Sequence, residues 1–389
     1  MSGYFILYPS TLPKNFLRPK KTTVPLSDAL GLELTEDIFA SENIPPYSVS
    51  LRDGWALSSA CPAVLHEEAA VVNGDEPLRL GGQSCRWINT GGYLPIGADA
   101  VYCSELGAKP ESGKCVYPGE NVLEAGSEWK KGDCLLRASS LVGASESALL
   151  IEAGVQLVPV YARPSVAILA TGHEIMENGF SPESVRHSSN AHYLQQLFCG
   201  LGLTDVSLFF APDNADTIAD RISLLKDAYQ LIVTVGGTGT GRSDMLRKAI
   251  VKAGGAPADD GAALSSSLPF VCARLGKSSL LGLPGNPLGF TALSQRLALP
   301  LVWQAFRTAP YPRRFVSVVM GFDAEAKAGD ICVQLAPHGA YIVALPIQKA
   351  TGRSCVFRDM RAFIPNAGGQ ALPAGARVQA ELFFNGLLF

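Results

Sequence analysis

Between Val166 and Phe306 the chain switches repeatedly between two hydrophobic patterns. Val166 to Ala170, Val206 to Phe210, Leu231 to Val235 and Ser278 to Leu281 are short runs, apolar or small at nearly every position. Asn190 to Leu201, Ala215 to Ala228, the stretch after Asp244 as far as Lys252, and Thr291 to Phe306 instead carry apolar residues at helical spacing. Undiluted apolar runs of strand length predict strands buried on both faces, and the intervening helices supply the covers. A parallel α/β sheet is expected, with its ligands beyond the carboxyl ends of the strands.

On either side the pattern is different. From about Val64 to Lys131, short extended stretches (Ala69 to Val72, Leu78 to Leu80, Cys85 to Asn89, a strand ending near Glu105) are separated by glycine turns, which predicts a small β domain. Before it, Pro25 and Ser27 mark a short helix stopped at Gly31; after it, Ser145 to Ala153 is helical and Gln156 to Val160 extended. Residues 311–389 return to short strands: Arg314 to Met320, Ile331 to Leu335, Tyr341 to Leu345, Phe363 to Pro365 and Ala376 to Phe383. The expected fold is thus multidomain, α/β plus β. Its boundaries are 1–46 with 134–163 (linker and helix), 47–133 (inserted β domain), 164–308 (α/β domain) and 309–389 (C-terminal β domain).

Composition narrows the function classes. A chain of 389 residues, 47% hydrophobic and 17% charged, with 39 glycines and 26 prolines, is an ordered, turn-rich globular protein. A net charge of −3 gives no general attraction to nucleic acid or anionic membrane. Nine scattered cysteines without a CxxC pair fit small apolar fillers in a reducing compartment. No apolar run reaches membrane-spanning length, and Tyr4 to Tyr8 lacks the flanks of a signal peptide, so a cytoplasmic location is expected.

The candidate chemistry collects at strand ends. Leu231 to Val235 runs into Gly236, Gly237, Thr238, Gly239, Thr240, Gly241 and Arg242, and Ser243 and Asp244 stand where a helix begins. Such a turn lets the backbone approach a phosphate while unpaired amides face it. Thr171, Gly172 and Glu174 follow the first strand, Asp213 the second, and Pro284, Gly285 and Asn286 the fourth. One acid at a strand end is commonly a helix cap; three acids and two glycine turns on one rim exceed what capping needs. Asp53 precedes Gly54 in a turn, a position where aspartate usually serves its own backbone.

These motifs carry a resemblance. Pro45 to Ala56, Ile88 to Val101, Thr171 to Ile175, Gly236 to Asp244 and Gly282 to Pro287 stand in the order found in the MoeA/gephyrin family of molybdopterin molybdenumtransferases, and the similarity runs from about Thr22 to Phe389. The resemblance implies a MogA-like molybdopterin-binding α/β domain, an inserted N-terminal β domain, a C-terminal β-barrel-like domain and a homodimer. Adenylated molybdopterin and molybdate are the implied substrates, Mg²⁺ the implied cofactor, and a MogA-type protein or an apo-molybdoenzyme the implied protein partner. Carried over position by position, the functional residues are Asp53, Thr90, Glu174, Asp213 and Asp244, with Glu174 and Asp244 as metal ligands.

The chain also departs from the family pattern. Ser265 and Leu268 stand where two lysines are usual, Leu123, Glu124 and Ala125 replace arginines, and Arg52 and Arg242 are unexpected cations. Each lost charge-assisted bond removes roughly 1.5–3 kcal/mol of anion binding. Two functions are therefore expected in competition: insertion of molybdate into adenylated molybdopterin with release of AMP, or non-catalytic binding and carriage of the pterin or finished cofactor. The glycine turn alone would also suit an adenylyltransferase of the MogA type.

Overall fold

The structure, a computed structural model, describes residues 4–5, 12, 16–60, 65–104, 107–110, 116–172, 189–238, 245–258, 270–327, 329–347, 354–366 and 368–385. The chain forms two compact units, one of residues 23–160 and one of residues 161–389 joined by residues 1–22.

In residues 23–160 the hydrophobic positions build separate cores. Leu26, Ala29, Leu34 and Ile44 pack with Leu135, Val142, Leu150 and Val160, so the two stretches flanking the central β region share one core. Helix α1 (Ala144–Glu152) belongs to it. Its start is held by Glu146, whose Oε2 accepts from the Gly143 amide at 3.0 Å, and the chain leaves it through Gly154 at φ +71°.

The central region is a four-stranded sheet of β1 (Gly54–Leu57), β2 (His66–Glu68), β3 (Ser84–Ile88) and β4 (Ala100–Cys103), ordered β2-β3-β1-β4. Period-two alternation sends Trp55 and Leu57 to one core and Ala56 to another with Ile88 and Val101. The expected strand at Ala69 to Val72 is irregular, and pairing occurs just before it. There Glu68 is fixed by Arg86 at 2.5 Å and by the Gly81 amide at 3.0 Å, which aligns His66–Glu68 beside β3. The run at Leu78 to Leu80 makes only an isolated bridge, Arg79 to Ile96.

Residues 161–389 hold the α/β layer and a barrel. The strands are β5 (Val166–Thr171), β6 (Val206–Ala211), β7 (Leu231–Val235), β8 (Ala256–Ala258), β9 (Val271–Leu275) and β10 (Ser278–Leu283), in the order β6-β5-β7-β10-β9-β8. β6, β5, β7 and β10 are parallel, as the apolar runs predict, whereas β9 and β8 extend the sheet antiparallel. The reversal is a tight turn through Gly276 at φ +64°, a conformation glycine reaches without strain.

Both faces are covered. Val166, Ile168 and Ala170 point into a core with α2 (Ser189–Gly200) and with the helical run α5 (Pro287–Leu293), a π-helical turn (Ser294–Ala298) and α6 (Leu299–Gln304). Ala167 and Leu169 point the other way, to α3 (Ala215–Leu225) and α4 (Met245–Lys252). Each fully buried aliphatic side chain here is worth about 1.5–3 kcal/mol. The helical run starts four residues earlier than its spacing predicts, because Pro287 occupies the first helical position and Asn286 caps it.

The C-terminal strands β11 (Phe315–Met320), β12 (Asp330–His338), β13 (Tyr341–Pro346), β14 (Ala362–Ile364) and β15 (Arg377–Leu382) pair around a closed five-stranded barrel, because β12 also pairs with β14. Barrel and helices are joined by a buried charge cluster. Arg296, on the π-helical turn and 8% exposed, donates to Asp330 Oδ2 at 2.7 Å and to Glu381 Oε2, and Arg313 Nε donates to Glu381 Oε1 at 2.8 Å. The Arg296 guanidinium also lies 4.2 Å from the centroid of the Phe363 ring.

Candidate functional site

Register alone brings the strand ends into one rim. Thr171 stands opposite Ala211, Ala170 opposite Val235, and Val235 opposite Leu283, so Thr171, Asp213, Gly236 and Pro284 leave the sheet within a residue or two of the same level. The turn after β7 requires glycine. Gly236 has φ +104°, and a Cβ there would lie 2.9 Å from both Thr171 O and Thr171 Oγ1; Gly237 follows at φ +69°. The Gly236 amide donates to Leu283 O at 2.9 Å and Thr171 Oγ1 donates to Val235 O at 3.3 Å, so the ends of β5, β7 and β10 are tied together. Gly172 N donates to Ala211 O at 3.4 Å and extends the tie to β6.

Several expected site residues prove to have structural work. Thr238 is buried, and its methyl group packs against the position of Gly282. Asn286 Oδ1 accepts from the Leu288 amide at 3.0 Å as the cap of α5. Pro284 is buried, while Gly285 is exposed and a Cβ on it would sit 3.7 Å from Gly236 Cα.

Asp213 is different. The cap of α3 is its neighbour Asn214, whose Oδ1 accepts from the amides of Asp216 at 2.8 Å and Thr217 at 3.3 Å. Asp213 is thereby released from capping, and its Oδ1 is shielded from solvent without a hydrogen-bond partner among the described residues. A second unpartnered, shielded oxygen is Oδ1 of Asn190, at the start of α2. Leaving such an acceptor unsatisfied costs about 1–3 kcal/mol, which a bound donor or cation would recover. Sequence reasoning had treated Asn190 only as a helix start; a polar residue directly before an apolar helical run was its one signal.

In residues 23–160 the structure joins two expected catalytic residues 37 positions apart. Asp53 Oδ1 accepts from the Thr90 amide at 2.6 Å and from Thr90 Oγ1 at 2.9 Å. The Thr90 turn is itself fixed, since Gly91 N donates to Ser50 O at 2.8 Å and Asn73 Nδ2 to Thr90 O at 3.1 Å. The Thr90 backbone bond first, and its hydroxyl second, hold the Asp53 carboxyl below the usual aspartate range. Both bonds fall on Oδ1, so Oδ2 has no protein partner among the described residues. The carboxylate is an oriented, ionised acceptor. Because its folded pKa is depressed, the favourable contribution of Asp53 is present above the ordinary value of about 3.9 and disappears as pH falls through the folded value. Thr90→Val keeps the amide bond and removes the hydroxyl bond, so the NMR-monitored midpoint of Asp53 should move up; an unmoved midpoint would deny the hydroxyl its role.

Arg52 is exposed, and Ser50 Oγ donates to its carbonyl at 2.5 Å. Glu174, Gly239, Thr240, Gly241, Arg242 and Asp244, and the departures Ser265 and Leu268, lie outside the described residues. Among the described residues no group of three or more His, Cys, Asp or Glu could hold a metal ion, and no helix is long and apolar enough to cross a membrane.

Comparison with known proteins finds two regions of similarity. Residues 8–154 match the MoeA N-terminal region (domain I and II), and residues 167–304 match the probable molybdopterin binding domain. The molybdopterin molybdenumtransferase of Haemophilus influenzae is 27% identical over 287 residues, 71% of each chain. That of Bacillus subtilis is 29% identical over 283 residues, 68% of this chain and 66% of its own. The chain thus spans roughly two thirds of the length of these relatives. In fold, the crystal structure of the molybdopterin biosynthesis MoeA protein from Pyrococcus horikoshii superposes with a TM-score of 0.70 at 24% identity, over 94% of this chain and 95% of that one. The chain thus carries a MoeA N-terminal region followed by a probable molybdopterin binding domain, and a closed C-terminal barrel comes after them.

Proposed function

We propose that this chain is a molybdopterin molybdenumtransferase of molybdenum cofactor biosynthesis, which passes molybdenum from molybdate to the dithiolene of adenylated molybdopterin as AMP leaves. The observation that carries this reading is the rim itself. Four parallel strand ends in register gather at a turn that needs glycine at Gly236 and Gly237, and Oδ1 of Asp213 beside them has no partner among the described residues.

The turn is proposed to offer phosphate the amide of Gly237, since that of Gly236 is given to Leu283 O, and both positions hold the positive φ that glycine adopts without strain. A lone carboxylate oxygen next to a phosphate cradle is the hard donor Mg²⁺ favours, so the residues fit this cofactor, and Glu174 and Asp244 are proposed to hold it. When bound, the ion would neutralise charge in the phosphoanhydride being cleaved. Asp53, kept ionised and oriented by Thr90, is proposed to serve the reaction as an acceptor. The same reading makes the chain a cytoplasmic homodimer that works beside a MogA-type protein and delivers to an apo-molybdoenzyme. It also divides the chain into the four domains whose boundaries the hydrophobic pattern predicts.

Asp213→Asn tests the rim. The substitution keeps the shape and alters a group whose Oδ1 has no hydrogen-bond partner among the described residues, and so should leave thermal stability unchanged or raised. Affinity for adenylated molybdopterin in the presence of Mg²⁺ should fall by about 1.5–3 kcal/mol, the scale of one charge-assisted bond. Unaltered affinity by calorimetry would remove Asp213 from the site.

A further inference from the structure

We propose that Asn190 reads an exocyclic aromatic amine on the bound ligand, with its Oδ1 accepting one N–H. The proposal rests on the molybdopterin reading above and assigns part of the site that reading leaves open. Asn190 is the second residue of α2, only 5% exposed, and its Nδ2 donates to Gly285 O at 3.0 Å. That bond fixes which way the amide points, because only the NH₂ group can serve a carbonyl. Oδ1 is therefore the end left over, and it is shielded from solvent with no partner among the described residues.

The placement favours a ligand role over a purely structural one. A residue needed only to tie α2 to the loop after β10 would be satisfied at both ends of its amide or would leave the free end in water. Here one half is used and the other is dry. The two buried threonine hydroxyls that also lack partners, Thr234 and Thr291, lie within β7 and α5; Asn190 instead sits at the rim, bonded to the residue that packs against Gly236.

Chemistry then selects the group. Oδ1 is a neutral acceptor, so phosphate and molybdate oxygens, acceptors themselves, are poor partners for it. The Gly237 amide in the turn next to it is the donor proposed for those anions. An amine on an electron-poor ring is the complementary donor, and adenylated molybdopterin carries one on its pterin and one on its adenine. Both sources share the chemistry, and paired ligands separate them.

The experiment measures binding of AMP against purine riboside 5′-monophosphate, which lacks the amine, and of a pterin against its 2-deamino analogue. Each pair is titrated on the wild-type chain and on Asn190→Ala. One amine should improve wild-type affinity by about tenfold, the size of a buried hydrogen bond whose loss strands its acceptor. In Asn190→Ala that advantage should vanish while the amine-free analogue binds as before. A preference in the purine pair assigns the adenine; one in the pterin pair assigns the pterin. Equal binding within both wild-type pairs overturns the proposal, as does an Ala variant that weakens ligands with and without the amine alike, since Asn190 would then only anchor Gly285. The wild-type comparison stands even if the variant fails to fold. AMP release by the wild type, assayed in parallel, reports separately on the transferase reading.

Discussion

Replacing Arg296 by alanine should destabilise residues 161–389 by about 3–5 kcal/mol, the cost of leaving buried charges without their partner. Arg296 and Glu381 are 8% and 7% exposed, and the Asp330 side chain is 16% exposed. Burial raises the Asp330 carboxyl above the usual aspartate range in spite of Arg296. Burial pushes Glu381 in the same direction, but bonds from Arg313 and the charge of Arg296 outweigh it and hold Glu381 below its ordinary value. The signs follow. Glu381 contributes stability above the ordinary glutamate value that is lost as pH falls through its folded pKa. Asp330, with its pKa raised, favours the folded state only below the ordinary aspartate value, and that contribution is lost as pH rises through its folded pKa.

Without Arg296 both carboxyls should titrate upward, Asp330 most because Glu381 keeps Arg313, so the variant's deficit should be largest at neutral pH and shrink towards about pH 5, as the stranded Asp330 takes up a proton. Hydrogen exchange in urea, read on the amides of β12 and β15 at both pH values, measures this. A deficit below about 1 kcal/mol, the range of an exposed pair, would show that the cluster is solvated.

Gly54→Ala should disrupt residues 23–160 by about 3 kcal/mol or more, because the added Cβ meets backbone that cannot rotate away. It would lie 2.0 Å from Tyr102 O and 3.1 Å from Cys103 Cα, across the β1–β4 pairing. A flexible side-chain tip could move aside; a paired carbonyl moves only if the strand does. Since Asp53 directly precedes Gly54, its bonds to Thr90 should weaken as well, and the Asp53 midpoint should rise. Thermal unfolding with the NMR titration reads both effects. A variant as stable as its parent would mean that β4 can shift at little cost.

What the sequence could show followed from how local each determinant is. The parallel strands were legible because burial on both faces leaves no charged position in Val166 to Ala170 or Leu231 to Val235, where Thr234 is the one polar residue. β9 was not, since its exposed Arg274 interrupts the apolar run and its partner lies across a tight turn rather than a helix. The start of α5 was hidden because Pro287 and Gly289 look like turn residues until Asn286 is seen to cap them. At the site, the glycine turn announced itself by composition. The bond between Asp53 and Thr90 joins residues 37 positions apart, which no local pattern encodes; the family resemblance named both residues but not their contact. Asn190 escaped even that, because its importance lies in a bond it does not make.

The most direct test of the account follows both products in one reaction. Purified protein is mixed with adenylated molybdopterin, Mg²⁺ and molybdate, and AMP and pterin-bound molybdenum are quantified together, the latter by reconstitution of an apo-molybdoenzyme. A transferase should yield AMP and transferable molybdenum in equal amounts, with both dependent on molybdate and both reduced in Asp213→Asn. Retention of intact adenylated pterin on the protein, with no AMP and no molybdenum gained, would contradict it and identify a carrier.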